Sequence, residues 1–155
     1  GADHPPPSER TARLLGKLDD GSAFSGASLG RCRVGAAKQG LLPVCRAARD
    51  LPASVPVQPG ETVDWDGRFR VRIADELPAE IHLAPLGADG WRQIPRDRRR
   101  ASGLGLAVAR TLPALFSGQG LVGYDLPGAD ENGAAGLKIR FRPKNTLGFN
   151  GFCIA

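Results

Sequence analysis

A mostly β, α+β fold is predicted for this chain, with a short N-terminal helix, then β-hairpins, then a second small β-rich lobe that carries one short helix. Two observations predict it. The 21 glycines and 13 prolines among 155 residues interrupt the chain so often that long helices are disfavoured after the first one. Between these interruptions, apolar and polar residues alternate over short segments, which is typical of strands with one buried face.

The N-terminal helix is predicted from a cap and a periodic stripe. Residues 1–7 are read as a tether ending in prolines, and Ser8 follows them, a residue type that favours the N-cap. The apolar stripe then recurs at helical spacing and consists of Thr11, Leu14, Leu15 and Leu18. The helix is expected to end at Asp19-Asp20-Gly21, and its stripe is interpreted as core packing.

Two hairpins are predicted to follow the helix. The first spans residues 27–46 and turns within residues 35–40. Its first arm is expected to contain Leu29, Cys32 and Val34, and its second arm Leu41, Leu42 and Val44. The second hairpin turns at Asp66-Gly67, a strong two-residue turn signal. Alternating apolar residues flank this turn at residues 63–65 and 69–73.

A lobe boundary is predicted at the acidic, proline-broken segment Asp75-Glu76-Leu77-Pro78. It divides the chain into residues 1–76 and residues 77–155, and whether the two lobes fold as one unit is left open. In the second lobe the pattern indicates strands at 80–86 and 91–94 around a Gly-Ala-Asp-Gly turn, a short helix within 104–111, a hairpin of 112–116 with 121–126, a loop at 128–136, and strands at 137–142 and 149–154.

The charge of the chain favours an anionic partner. The net charge is +5, and only Lys17, Lys38, Lys138 and Lys144 among the 21 cationic residues are lysines. The planar guanidinium of arginine matches phosphate oxygens and stacks on bases, so an arginine excess fits a nucleic-acid partner. A GC-rich genome also raises the arginine content, and that alternative is equally open.

The cysteines and histidines indicate neither a disulfide framework nor a metal site. Cys32, Cys45 and Cys153 are odd in number and form no C-x-x-C pair, and His4 and His82 are the only histidines. Cys32 and Cys45 could face each other across the first hairpin, although free thiols are the expected state. A cytoplasmic location is the simplest expectation, and no apolar run is long enough to predict a membrane span.

Alternation predicts two stripes of positive charge on strands. Every second side chain of a strand lies on the same face. The stripes are predicted at Arg68, Arg70 and Arg72 and at Lys138, Arg140 and Arg142. Such stripes can follow a phosphate backbone. The alternative is a solvated outer face whose charges protect strand edges from aggregation.

The densest basic cluster lies between residues 96 and 100. It consists of Arg96, Arg98, Arg99 and Arg100 around Asp97. As a loop, this run could bind RNA phosphates or stack a guanidinium on a base. Arg110 is a further candidate, with the alternative that it pairs with a carboxylate or interacts with the C-terminal end of a helix.

No catalytic residue is predicted in this chain. A phosphate-cradling loop requires closely spaced glycines and backbone amides, and Ser25-Gly26-Ala27-Ser28 offers only one glycine. Acidic pairs such as Asp64 with Asp66 and Asp75 with Glu76 are read as solvated turn residues.

Three motifs resemble the tRNA(Ile)-lysidine synthases of bacteria. The segment Arg110-Thr-Leu-Pro-Ala-Leu-Phe-Ser-Gly-Gln-Gly-Leu-Val is similar to the arginine, proline-containing strand, polar turn and apolar strand of their last domain. Pro5-Pro6-Pro7-Ser8 before a leucine-rich helix, and Ser28-Leu29-Gly30-Arg31-Cys32-Arg33-Val34, resemble their middle domain. The basic run at residues 96–100 departs from the family, which carries lysines at the comparable place.

The resemblance implies the tRNA-binding C-terminal portion of an ATP-dependent ligase that attaches lysine to the wobble cytidine of an isoleucine tRNA. The Ser-Gly-Gly-x-Asp-Ser catalytic loop of that family is absent from this chain, so ATP with magnesium and lysine would be used by a missing catalytic domain. The implied partners are tRNA and the N-terminal domain of the same polypeptide, with a homodimer possible and no membrane. The alternative is a structural or oligomerisation module with solvated basic faces.

Overall fold

The computed structural model describes residues 8–20, 24–36, 42–126 and 134–142. The helices are α1 Ser8–Asp19, α2 Gly87–Gln93, α3 Arg96–Ala101 and α4 Leu106–Ala109. The strands are β1 Ala27–Leu29, β2 Cys32–Val34, β3 Val44–Arg46, β4 Val55–Val57, β5 Thr62–Trp65, β6 Phe69–Ile73, β7 Ile81–Pro85, β8 Pro113–Ser117, β9 Gly120–Asp125, β10 Ala134–Ala135 and β11 Leu137–Phe141. The mostly β, α+β class is confirmed.

The chain divides into two compact units, Gly1–Leu51 and Pro52–Ala155. This division differs from the one predicted at residues 76 and 77. The strands β6 and β11 lie on either side of the predicted division, and they pair along their whole length. The correspondence of two lobes with the middle and C-terminal domains of the synthases stays a prediction.

The first unit contains α1 and a three-stranded antiparallel sheet in the order β1-β2-β3. The helix α1 is confirmed with its predicted bounds. The predicted single arm containing both Leu29 and Cys32 is wrong, because Gly30 and Arg31 form a two-residue turn that pairs Leu29 with Cys32. Residues 37–41, where the predicted turn and part of the second arm fall, lie outside the described residues.

The two cysteines of this sheet do not face each other. Cys32 lies opposite Arg46, whereas Cys45 lies opposite Arg33, the next residue along β2. Successive residues of a strand point to opposite faces, so the two thiols project from different sides of the sheet. No disulfide joins Cys32 to Cys45, and Cys153 lies outside the described residues.

The second unit contains two antiparallel sheets, with strand orders β10-β9-β8-β7-β4 and β11-β6-β5. The predicted hairpin of β5 and β6 is confirmed. Asp66 and Gly67 have φ of 53° and 62°, and Arg68 N–H donates to the Trp65 carbonyl at 3.1 Å to close the turn. Glycine at the second position adopts this left-handed conformation without a Cβ clash.

Both sheets of the second unit contribute to one apolar core. Val71 and Ile73 of β6 and Leu83 and Leu115 of the five-stranded sheet are fully buried within it. The hairpin of β8 and β9 is confirmed as predicted, with a register irregularity at residues 115–116. The short strand β4 was not predicted, because prolines interrupt its apolar pattern.

The helical content of the second unit differs from the prediction. Residues 91–94, predicted as a strand, lie largely in α2, and the Gly-Ala-Asp-Gly segment begins that helix instead of forming a turn. Leu86, Gly90 and Ile94 follow one another at intervals of four and are all buried, which is a helical spacing. The described residues of this unit therefore form three short helices instead of the one predicted, and α4 lies inside the segment predicted as helical.

The remaining predictions fall mostly outside the described residues. Of the loop predicted at 128–136, residues 134–135 form β10 and pair with β9. The strand predicted at 149–154 is not among the described residues. Within the described part of the chain, no helix is long and apolar enough to span a membrane.

Candidate nucleic-acid interface

The three-stranded sheet of the second unit brings the two predicted charge stripes side by side. Lys138 lies directly opposite Arg72, and Arg140 lies directly opposite Arg70. Residues paired in this way share a face of the sheet, whereas Val71 and the other alternate residues of β6 turn towards the core. We call Arg70, Arg72, Lys138 and Arg140 the basic face.

The basic face is only partly neutralised by carboxylates. Asp64 of β5 pairs with Arg70, with Nε–Oδ1 and Nη2–Oδ2 distances of 2.9 and 3.1 Å, and this hydrogen bond raises the pKa of the Arg70 guanidinium above its ordinary value. Lys138 lies close enough to Asp125 to lower the pKa of that carboxyl, although burial raises it overall. Within the described ranges, Arg72 and Arg140 form no ion pair, and both are exposed. The face keeps an excess of positive charge.

Arg68 belongs to the predicted stripe but is engaged within the protein. Its guanidinium contacts Asp66 at 2.6 Å, donates to the Thr111 carbonyl at 3.3 Å and lies over the Phe69 ring. The Arg68 and Asp66 side chains are 19% and 4% exposed. Arg68 therefore stabilises the β5–β6 turn, whereas Arg142, whose N–H donates to the Arg68 carbonyl, is exposed.

The arginine run at residues 96–100 forms the helix α3, not the loop that was considered. Arg96 and Arg100 are exposed, and their spacing of four places them on the same side of the helix. Arg99 instead lies over the Trp91 ring of α2 at 5.7 Å, and Arg98 is half-buried. The helix thus exposes two of its four arginines to solvent and keeps the other two half-buried against the protein.

Three guanidinium groups near these helices have buried nitrogens without a hydrogen-bond partner among the described residues. They are Arg98 Nη1, Arg99 Nε and Arg110 Nε. Arg110 follows α4, and its carbonyl accepts the N–H of Gly87 at the start of α2. Because these three nitrogens are buried, only the other donors of each planar guanidinium group can reach an anionic oxygen.

The Arg68 contact joins the turn of the β5–β6 hairpin to the segment between α4 and β8. Thr111, whose carbonyl Arg68 reaches, immediately follows Arg110 in the chain. The structure thus brings the backbone around Arg110 next to the turn at the end of the three-stranded sheet.

Asp64 is the feature of this site that the sequence analysis missed, because it was read as a solvated turn residue. Matching apolar residues across the hairpin, Trp65 with Phe69 and Val63 with Val71, would have placed Asp64 opposite Arg70. That register differs by one residue from a simple two-residue turn, which is why the ion pair could not be found from the turn signal alone.

No catalytic arrangement is formed by the described residues. Among them, no group of three or more histidine, cysteine and acidic side chains could hold a metal ion. Ser25, Ser28 and Arg33 line a small open cleft in the first unit, which offers polar groups but no nucleophile paired with a base.

Fold and site together define a basic, mostly β module whose second unit carries a cationic sheet face. The chain is 35% identical over 134 residues to the tRNA(Ile)-lysidine synthase of Caulobacter vibrioides. This match covers 83% of the chain and confirms the resemblance predicted from the sequence motifs. It covers 30% of the relative, so the chain spans less than a third of that protein. No family model matches the chain, and no solved structure is significantly similar to it.

Proposed function

We propose that this chain is the tRNA-binding C-terminal portion of a tRNA(Ile)-lysidine synthase. In this proposal it holds an isoleucine tRNA while a catalytic N-terminal domain of the same polypeptide attaches lysine to the wobble cytidine. The similarity to the Caulobacter enzyme supports the relationship. The observation that carries the binding role is the basic face, where like charges lie directly opposite each other on neighbouring strands.

The basic face is suited to phosphates and not to base stacking. The aromatic residues of these strands, Trp65, Phe69 and Phe141, occupy the alternate positions and therefore lie on the opposite side of the sheet. Cationic side chains with no aromatic ring beside them bind the phosphate backbone of a nucleic acid by displacing its condensed counterions. The resulting affinity depends strongly on the salt concentration and little on the nucleotide sequence. The face would thus position the tRNA, and base recognition would require other residues.

The arginines of α3 and Arg110 add to this interface in different ways. Arg96 and Arg100 of α3 are exposed and available to phosphates. Arg98, Arg99 and Arg110 are half-buried, so RNA oxygens would accept from their guanidinium nitrogens other than the buried Nη1 or Nε. ATP, magnesium and lysine would act in the catalytic domain, so this chain supplies binding and orientation only.

The experiment is tRNA binding by the purified chain at low salt, measured by fluorescence anisotropy, together with light scattering over a concentration series. The proposal predicts saturable binding of tRNA that weakens steeply as salt is added. A concentration-dependent oligomer without tRNA affinity would instead support the structural or oligomerisation module.

A further inference from the structure

We propose that Arg31 and Arg49, held around Asp50 in the first unit, form a second site for a phosphate of the RNA backbone. This inference rests on the proposed tRNA-binding function and extends it to residues outside the second unit. It is carried by the geometry of two exposed arginines around one carboxylate and by the backbone conformation of Arg31.

The cluster gathers more positive charge than its carboxylate can neutralise. Arg31 Nε lies 3.5 Å from Asp50 Oδ1, and Arg49 Nε lies 3.6 Å from Asp50 Oδ2. Arg46 Nε donates to the Asp50 carbonyl at 3.4 Å. The Asp50 carboxylate therefore contacts two guanidinium groups, and it leaves one positive charge in excess.

The side chains of Arg31 and Arg49 are accessible to a ligand. They are 54% and 81% exposed, whereas the Asp50 side chain is only 18% exposed. Their Nε–O distances are longer than a normal hydrogen bond between charged groups, so most of their donors remain available. Asp50 thus lies beneath two guanidinium groups that face solvent.

The backbone of Arg31 adopts a conformation that does not favour arginine. Gly30 and Arg31 occupy the central positions of the β1–β2 turn with φ of 56° and 67°. The β5–β6 turn of the second unit also has two successive residues with positive φ, Asp66 and Gly67, but there the second of them is glycine. A long side chain in the left-handed region is strained, and residues held in this way concentrate at ligand sites.

The ion pair with Asp50 does not account for an arginine at this position. An exposed pair at this distance contributes little to stability, because solvent screens it and two long side chains must be ordered. A phosphate diester accounts for it better. Its two free oxygens can accept from the Arg31 and Arg49 guanidinium groups together, and its negative charge balances the excess.

The test compares three variants of the full chain in tRNA binding at low salt. Arg31→Gly removes the backbone strain of the β1–β2 turn, so we expect a more stable fold together with a several-fold weaker affinity for tRNA. Arg49→Gln should weaken binding similarly and lower the salt dependence by about one phosphate contact. Asp50→Asn should raise the affinity, because it removes the negative charge of the cluster. Lys17→Gln, an exposed change in α1 of the same unit, is the matched control.

The outcomes separate this inference from the proposed function. Unchanged affinity in both Arg31→Gly and Arg49→Gln, with tRNA still bound, would overturn the second site alone. A chain that bound no tRNA would overturn the proposed function and this inference with it. A parallel NMR titration with inorganic phosphate monitors the Arg31 and Arg49 side chains. If phosphate saturates them while both variants keep the parent affinity for tRNA, the site binds a free anion and its assignment to RNA is wrong.

Discussion

Lys138 of β11 lies directly opposite Arg72 of β6, on the solvent face of a three-stranded sheet. Two cations in this relationship repel each other and destabilise the pair of strands. In the described part of the chain, no carboxylate forms an ion pair with Arg72, and the residue opposite it on its other side is the uncharged Thr62. A polyanionic partner would provide the missing counter-charge, which is the basis of the proposed function.

Removing one member of this pair should stabilise the fold while weakening RNA binding. For Arg72→Gln we expect the free energy of unfolding to rise by about 0.2–1 kcal/mol at low salt, the range for cross-strand charge pairs. The gain should shrink as salt screens the repulsion. Urea denaturation at two salt concentrations measures both effects. Arg92→Gln is the control, since Arg92 already pairs with Asp89. A lower free energy of unfolding in Arg72→Gln would contradict the repulsion between Arg72 and Lys138.

The ion pair of Arg68 with Asp66 should contribute to stability and not to RNA binding. Because both side chains are largely buried, Asp66→Asn leaves the Arg68 guanidinium without its charged partner. The Asn side chain keeps an acceptor oxygen but not the charge, so we expect a loss of about 1 kcal/mol in the free energy of unfolding, the difference between hydrogen bonds to charged and to neutral groups. Thermal denaturation and tRNA binding are measured on the same variant. A loss of affinity in the folded variant would show that Arg68 contacts the RNA.

Gly90 of α2 should not tolerate a larger side chain. A Cβ at this position would lie 2.8 Å from Leu86 Cδ1 and 3.0 Å from Phe116 Cζ, and Leu86 is buried. The clash should outweigh the better helix propensity of alanine, so Gly90→Ala is expected to lower the free energy of unfolding by about 1–2 kcal/mol. Gly118→Ala is the control, because nothing lies within 4 Å of its Cβ position. Equal stability of the two variants would contradict this packing.

Asp125 should make the stability of the second unit depend on pH. Its Oδ2 accepts the N–H of Ile139 at 2.6 Å, and burial raises the pKa of the carboxyl above its ordinary value despite this bond and the charge of Lys138. A carboxyl with a higher pKa in the folded chain binds more protons there than in the unfolded chain. Its contribution is therefore fully present below the unfolded pKa and is lost as the pH rises through the folded pKa.

The variant Asp125→Asn keeps an acceptor oxygen for Ile139 and removes the titration. We expect it to gain stability relative to the parent chain as the pH rises from about 3 to about 7, across the range in which carboxyl groups titrate. Urea unfolding midpoints at a series of pH values measure this difference. A difference that stays constant over the range, or that reverses, would show that burial does not dominate the pKa of Asp125.

Sequence patterns predicted the strands of the charged sheet well because two signals agreed there. The alternation of residues 69–73 and the Asp66-Gly67 turn both require the hairpin that is observed. The pairing of β6 with β11 joins residues far apart in the chain, and no local pattern specifies it. The two charge stripes could thus be predicted singly, but their position side by side could not.

The wrong predictions of turns and strands also have local causes. Gly87 and Gly90 suggested a turn, yet Gly90 lies in α2 because a small residue lets Leu86 and Phe116 approach. Here the packing of the helix overrode local propensity. Leu29 and Cys32 were assigned to one arm because the Gly30-Arg31 turn was not recognised. An arginine at the second position gives no turn signal.

The salt dependence of tRNA binding tests the central claim most directly. The slope of log affinity against log salt is compared between the parent chain and the triple variant Arg72→Gln, Lys138→Gln, Arg140→Gln, with Arg92→Gln as the control. The account predicts that the slope falls by about three in the triple variant, close to one for each phosphate contact removed, and stays near the parent value in the control. An unchanged slope in the triple variant would show that the basic face does not contact RNA.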